Sequence, residues 1–190
     1  MCGLCCVEKR RGRREEERTV RNKHLVELAE YKWFREADFT SQSDGQGNWI
    51  FGDGTYVIRM KGTPAVNEGT HSHMRVMMEI MDKAAEQEKQ EIALPSISWM
   101  KKIKGKDGRR HKIWKIAGRE IFVNTRLLLP IMKVLHGGKG YAVRLDGFSE
   151  KNKKRSWECV YIKADNGDAV LCPMMNTRER IFCTGKVERE

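Results

Sequence analysis

The sequence predicts a single α+β domain in which amphipathic helices pack on an antiparallel sheet. Three observations carry that expectation. Leu127, Leu128, Ile131, Met132, Val134 and Leu135 recur at helical spacing behind Asn124, a residue type suited to cap a helix N-terminus. Three β-prone runs follow, at 141–145, 157–164 and 168–173, and Asn166-Gly167 between the last two is a tight-turn signal. Upstream, Trp49-Ile50-Phe51 and Thr55-Tyr56-Val57-Ile58 flank Gly52-Asp53-Gly54, a second hairpin signal.

Taken in order, residues 1–19 alternate cysteine, arginine and glutamate with no apolar period and are expected to form a flexible arm. The domain is expected to span 20–184, with a charged tail at 185–190. Asn22 is placed to cap a short helix carrying Leu25, Leu28 and Ala29 on one side. The stretch 41–48, Ser-Gln-Ser-Asp-Gly-Gln-Gly-Asn, is turn and loop chemistry throughout. After the first hairpin, 62–70 reads as a loop. Residues 73–88 have helical composition, with Met74, Met77, Met78 and Met81 forming a stripe expected to face the core. Residues 91–95 return to an extended conformation. Residues 101–110, with Asp107-Gly108 as a turn signal, read as an exposed basic loop or the rim of a hairpin, and 111–116 and 119–123 as strands. The helix 124–136 is expected to stop at Gly137-Gly138. Pro130, six residues past the cap, should bend that helix or shift its start. Residues 181–184 add a short closing strand.

Composition bounds the function. A chain of 190 residues, 39% hydrophobic and 33% charged, falls in the globular class. No run approaches the roughly 18 apolar residues of a membrane span, and Met1-Cys2-Gly3-Leu4-Cys5-Cys6-Val7 is too short for a signal peptide. A soluble, cytoplasmic protein without a membrane partner is therefore expected. Six cysteines in a chain of this length do not suggest a secreted disulfide scaffold, and Cys159 and Cys172 lie in apolar runs where a thiol acts as a small hydrophobe. The formal charge is +11, and residues 101–119 hold nine basic residues against one acid, Asp107. Such a field favours an anionic partner such as nucleic acid.

The chemistry of an enzyme is not apparent. Cys2-x-x-Cys5-Cys6 has the spacing of a redox or metal pair but no second pair, and His71-x-His73 would complete it only across a long sequence gap, so no metal is expected. The glycine pairs at 45/47 and 52/54 lack the longer pattern of a dinucleotide site, and Gly105-Lys106 lacks the rest of a P-loop. Asp165 and Asp168 are assigned to a hairpin turn, where aspartate is ordinary. No nucleophile, base and orienting group are spaced as a set, so neither catalytic residues nor a cofactor are expected.

Two segments echo each other: Val20-Arg21-Asn22-Lys23-His24-Leu25 and Phe122-Val123-Asn124-Thr125-Arg126-Leu127 each open an amphipathic helix that leads into β-rich sequence. The segment Ile121 to Leu129, the strand Tyr141 to Gly147, and the final hairpin through Val170-Leu171-Cys172-Pro173-Met174-Met175 resemble, in that order, the helix and strands of a bacterial DNA polymerase sliding-clamp domain and its Pro-Met ending. The resemblance covers 121–175. It implies a clamp-like domain made of two similar helix-and-strand units, with helices toward duplex DNA and the sheet as outer wall. It also implies a polymerase or other replication protein whose peptide inserts around Val170, Cys172, Pro173 and Met174. The departures are a Met175 where the family often has a basic residue, a length for one domain rather than three, and an implied insertion at 62–100.

Two sets of basic residues are thus candidates for phosphate contact. Arg126 and Lys133, two helical turns apart, should share the face of their helix away from its apolar band. Lys101, Lys102, Lys104, Lys106, Arg109 and Arg110 offer more charge with fewer packing constraints and are expected to contribute more. A clamp-like replication or mobile-element accessory protein is the first reading, and it allows a homo-oligomer. The rival is a small basic DNA-binding or regulatory protein unrelated to clamps, in which Trp99, His111 and Trp114 could stack on single strands.

Overall fold

Tyr56-Val57-Ile58, Val160-Tyr161-Ile162 and Ala169-Val170-Leu171 are apolar at every position, as suits strands covered on both faces. The computed structural model describes residues 23–30, 40–53, 55–62, 74–102, 113–116, 121–146 and 156–173, and it has that construction. Helix α1 occupies 23–30. The strands β1 (Thr40–Ser43), β2 (Asn48–Gly52) and β3 (Tyr56–Lys61) follow, then α2 (Met74–Glu86), β4 (Lys89–Ile92) and α3 (Ile97–Lys102). The remainder is β5 (Ile113–Lys115), β6 (Phe122–Asn124), α4 (Thr125–Val134), β7 (Lys139–Asp146), β8 (Ser156–Ala164) and β9 (Gly167–Leu171). Seven strands form one antiparallel sheet in the order β1-β2-β3-β9-β8-β7-β4, and β5 and β6 pair separately. The chain is α+β.

Alternation along each strand sends side chains to two cores. Tyr56, Ile58, Val160, Ile162, Ala169 and Leu171 face one layer with Leu25 and Leu28 of α1, Met100 of α3, Trp114 of β5, and Leu127, Leu128 and Ile131 of α4. Val57, Val143, Tyr161 and Val170 face the other, under Met77, Ile80, Met81 and Ala84 of α2. Met77 and Met81 of the methionine stripe lie in this core and Met78 packs against it, as the spacing predicts. Residues 74–92, which fall in the expected insertion, provide the whole α2 layer and the edge strand β4.

Helix α4 begins where its cap predicts. Asn124 is extended, and its Oδ1 accepts the Arg126 N–H at 2.9 Å. Pro130 sits inside the helix without moving that start. The carbonyl it leaves without a helical donor belongs to Arg126, an exposed residue that water can reach. The stop comes one residue earlier than Gly137: His136 takes φ 57°, its N–H donates to Lys133 O, and the Gly137 N–H donates to Met132 O. That is the left-handed closure usual at helix ends.

Two expectations are corrected. Residues 41–48 are not all loop, because β1 includes Ser41 to Ser43 and pairs with β2. Asp44 makes the reversal between them, its carboxylate accepting the N–H groups of Gln46 and Asn48 and the Asn48 side-chain amide. Burial opposes ionisation of Asp44, but these donors prevail and hold its carboxyl below the usual value. Asp168 is likewise not a turn residue. The β8–β9 turn is Asp165-Asn166, with Ala164 paired to Gly167, and Asp168 lies buried in β9. Glycine at 167 is a steric requirement, since a Cβ there would stand 2.2 Å from the Arg59 carbonyl oxygen.

Candidate functional site

Helix α4 buries one side and leaves the other to solvent. Leu127, Leu128, Ile131 and Val134 are in the core, whereas Arg126 is exposed and Lys133 partly so. Seven residues at 1.5 Å rise separate these two cations by about 10 Å along the axis. Helix α1 is covered by the same core, but its outer residues Lys23, Glu27 and Glu30 are of mixed sign, and Glu27 accepts from His24 Nδ1 at 3.0 Å when that nitrogen carries the proton. The helical surface is therefore basic at α4 and not at α1.

The expected loop or hairpin rim does not begin at 101: Lys101 and Lys102 are the last two residues of α3, a short helix that packs beside α4. Lys104, Lys106, Arg109 and Arg110 lie outside the described residues, as does His111. Trp114 is only 3% exposed and packs in the core from β5, so it is not available to stack on a base.

The expected peptide surface is also altered. Val170 is fully buried beneath α2 within the domain's own core and offers no side chain to a partner. Cys172 and Pro173 are half-buried at the end of β9, and Met174 lies outside the described residues. The parity of the strand decides this: Val170 points to the α2 side, a layer that the resemblance did not include. The N-terminal cysteines and the 71/73 histidine pair are outside the described residues as well.

Two groups with unusual environments are invisible to motif reading. Asp168 accepts from Arg59 Nε at 3.0 Å, Arg59 Nη2 at 2.8 Å and the Tyr161 hydroxyl at 2.9 Å. Arg59 also reaches Asp82 of α2 at 2.7 Å, tying that helix to the sheet. The hydrogen bonds to Asp168 hold Arg59 firmly charged, and burial, with the nearby Asp168 charge, pushes the Tyr161 hydroxyl above its ordinary range. Beside this network Lys139 and Lys163 stand directly opposite each other on β7 and β8. They border a groove of about 590 Å³ that also takes in His136, Tyr141 and Asn166, and Lys61 and Lys163 border a second of about 230 Å³. The only sequence signal for this basic ledge is its register, which no local pattern supplies. Among the described residues no helix is long and apolar enough to cross a membrane.

Comparison with known proteins adds no relative: no family model, no curated protein and no solved structure matches the chain.

Proposed function

We propose that this chain is a non-enzymatic, clamp-like accessory protein of DNA replication or of a mobile element, which contacts duplex phosphates without reading bases. The observation that supports this reading is the placement of α1 and α4. The two helices that open with echoed sequences pack on the same face of one antiparallel sheet, and α4 keeps Arg126 and Lys133 on its outer side. A basic helix face of that kind positions a nucleic acid through its backbone. A polymerase or other replication protein is the peptide partner of this reading, with the contact at Cys172, Pro173 and Met174 rather than at Val170.

A second reading is favoured by α2. The resemblance implies a sheet serving as outer wall, but here a helix covers that face. A small basic DNA-binding or regulatory protein without clamp ancestry accommodates the extra layer, and would use the 101–110 segment.

One experiment separates them: anisotropy of a labelled duplex across a salt series, for the wild type, Arg126→Ala/Lys133→Ala and a charge-neutral 101–110 variant, each checked for folding by circular dichroism. The expected result is weak binding that falls steeply with salt, a larger loss for the 101–110 variant, and a salt slope reduced by about two for the helix pair. A helix-pair variant indistinguishable from wild type overturns the clamp-like orientation. Absence of binding at low salt overturns both readings.

A further inference from the structure

The sequence reads Cys159 and Cys172 as small hydrophobes in two apolar runs, and the sheet puts them side by side. The last formal pair of the β8–β9 ladder is Val160 with Leu171, so the next residues in register are Cys159 and Cys172. Cys172 still belongs to the ladder on its other side, where its N–H donates to Thr55 O at 2.8 Å. A residue in an antiparallel strand aims its N–H and C=O at the same neighbour. At Cys172 both therefore point to β3, and its pair with Cys159 is the non-hydrogen-bonded kind. Opposed Cα atoms in such pairs approach to about 4.5 Å with their side chains close together. That separation lies within the range of about 4.4–6.8 Å that a disulfide spans. Both side chains lie on the α2 face, Cys159 in its core and Cys172 packed against it, and both are thiols in this structure.

We propose that Cys159 and Cys172 form an oxidation site, at which a peroxide converts the two thiols to a cross-strand disulfide that thiol reductants reopen. The two cysteines have different roles. Cys159 is 2% exposed, whereas Cys172 is half-buried at the strand end and is the one an oxidant meets. The contact between them acts in the same direction. The hydrogen bond from the Cys159 thiol to the Cys172 sulfur pulls Cys172 below its ordinary value, and that bond together with burial keeps Cys159 protonated.

The chemistry balances. The Cys172 thiolate attacks one peroxide oxygen, the O–O bond breaks, and the departing hydroxide takes up the proton that Cys172 released, giving water and a sulfenic acid. The Cys159 sulfur then attacks the Cys172 sulfur. The S–S bond forms as the S–O bond breaks, and the hydroxide leaves as water with the Cys159 proton. Two thiols lose two electrons and one hydrogen peroxide becomes two waters. The product fastens the end of β9 to β8 immediately before Pro173, where the peptide contact is proposed, although the oxidation site does not depend on that contact.

The test treats the folded full chain with stoichiometric hydrogen peroxide, blocks remaining thiols, and maps peptides without reduction. Cleavage after Lys163 separates the two cysteines in sequence. The expected result is a linked 159–172 peptide pair, lighter by two hydrogen atoms than its reduced parts and released by dithiothreitol. Cys159→Ser should leave a sulfenic acid on Cys172 that dimedone captures, and Cys172→Ser should give no dimedone adduct at Cys159. The proposal is overturned if the pair links only after denaturation, if Cys172 proceeds to sulfonic acid beside a reduced Cys159, or if either cysteine joins Cys2, Cys5, Cys6 or Cys183 instead. It is overturned equally if both thiols stay reduced while the N-terminal cysteines oxidise.

Discussion

Replacing Asp168 with alanine should destabilise the fold far more than replacing Asp82, although both carboxylates bind the same arginine. Asp168 has an 11% exposed side chain and accepts three hydrogen bonds, two of them from the Arg59 guanidinium. Breaking a buried ion pair by removing one partner typically costs about 3–5 kcal/mol, because the other charge stays behind without compensation. Arg59 is 25% exposed and keeps Asp82, so the lower end applies, about 3 kcal/mol. For a chain of this size that is a fall in Tm of about 6–12 °C. Asp82 is 57% exposed, and its loss should cost under about 1 kcal/mol. Removing both buried charges together, as Arg59→Met/Asp168→Leu, should be milder than Asp168→Ala alone, since no orphaned cation is left. Urea and thermal denaturation followed by circular dichroism measure all three. A penalty for Asp168→Ala no larger than that for Asp82→Ala, or a double variant weaker than the single, would refute the reasoning.

Other consequences follow from buried groups. The Tyr56 hydroxyl is buried and has no hydrogen-bond partner among the described residues, so Tyr56→Phe should raise the urea midpoint, with a gain of about 1 kcal/mol. Burial opposes ionisation of Tyr56 and Tyr161 and raises their pKa in the folded state, so their contribution is complete below about pH 10, the unfolded value, and is lost as pH rises above it. Titrated stability should then fall by up to about 1.4 kcal/mol per pH unit for each tyrosine, and the Tyr56→Phe variant should fall less steeply. Ile131 is fully buried between α4 and the sheet, and Ile131→Ala should cost about 2–5 kcal/mol in equilibrium unfolding.

How much of this was legible depended on how local the signal was. The cap and apolar band of α4, the Met77 and Met81 positions of the α2 stripe and the two hairpins are each written within a dozen residues, and the structure has them. Strand β1 was not legible, because Thr40 to Ser43 has no apolar residue. Main-chain pairing with β2 holds it, and the Asp44 reversal makes the pairing possible. The site residues were harder still. Arg59 and Asp168 are 109 residues apart and meet only through the β3–β9 register. The two cysteines meet through the β8–β9 register in the same way. Val170 carried a peptide role only through the resemblance, and a strand covered on both faces has no alternation that would have shown its side to be closed.

The same register raises a third candidate for anion contact and decides how a surprising binding result should be understood. Lys163 has Lys139 opposite it on β7 and Asp168 opposite it on β9. Asp168 is engaged by Arg59 and Tyr161, so its negative charge is largely committed, and the two lysines face each other across neighbouring strands. Like charges so placed repel, and an anion held between them relieves the repulsion. Lys61, one strand beyond β9, extends the row toward the smaller groove. If DNA binds and neither the helix pair nor the 101–110 variant weakens it, this ledge is the next basic surface to test among the described residues. Lys139→Gln/Lys163→Gln should then lower affinity and the salt slope together. Inorganic phosphate should raise the Tm of the wild type at low ionic strength and raise that of the double variant less. Equal shifts in the two proteins would mean that the ledge holds no anion, and that its lysines only decorate the end of the sheet.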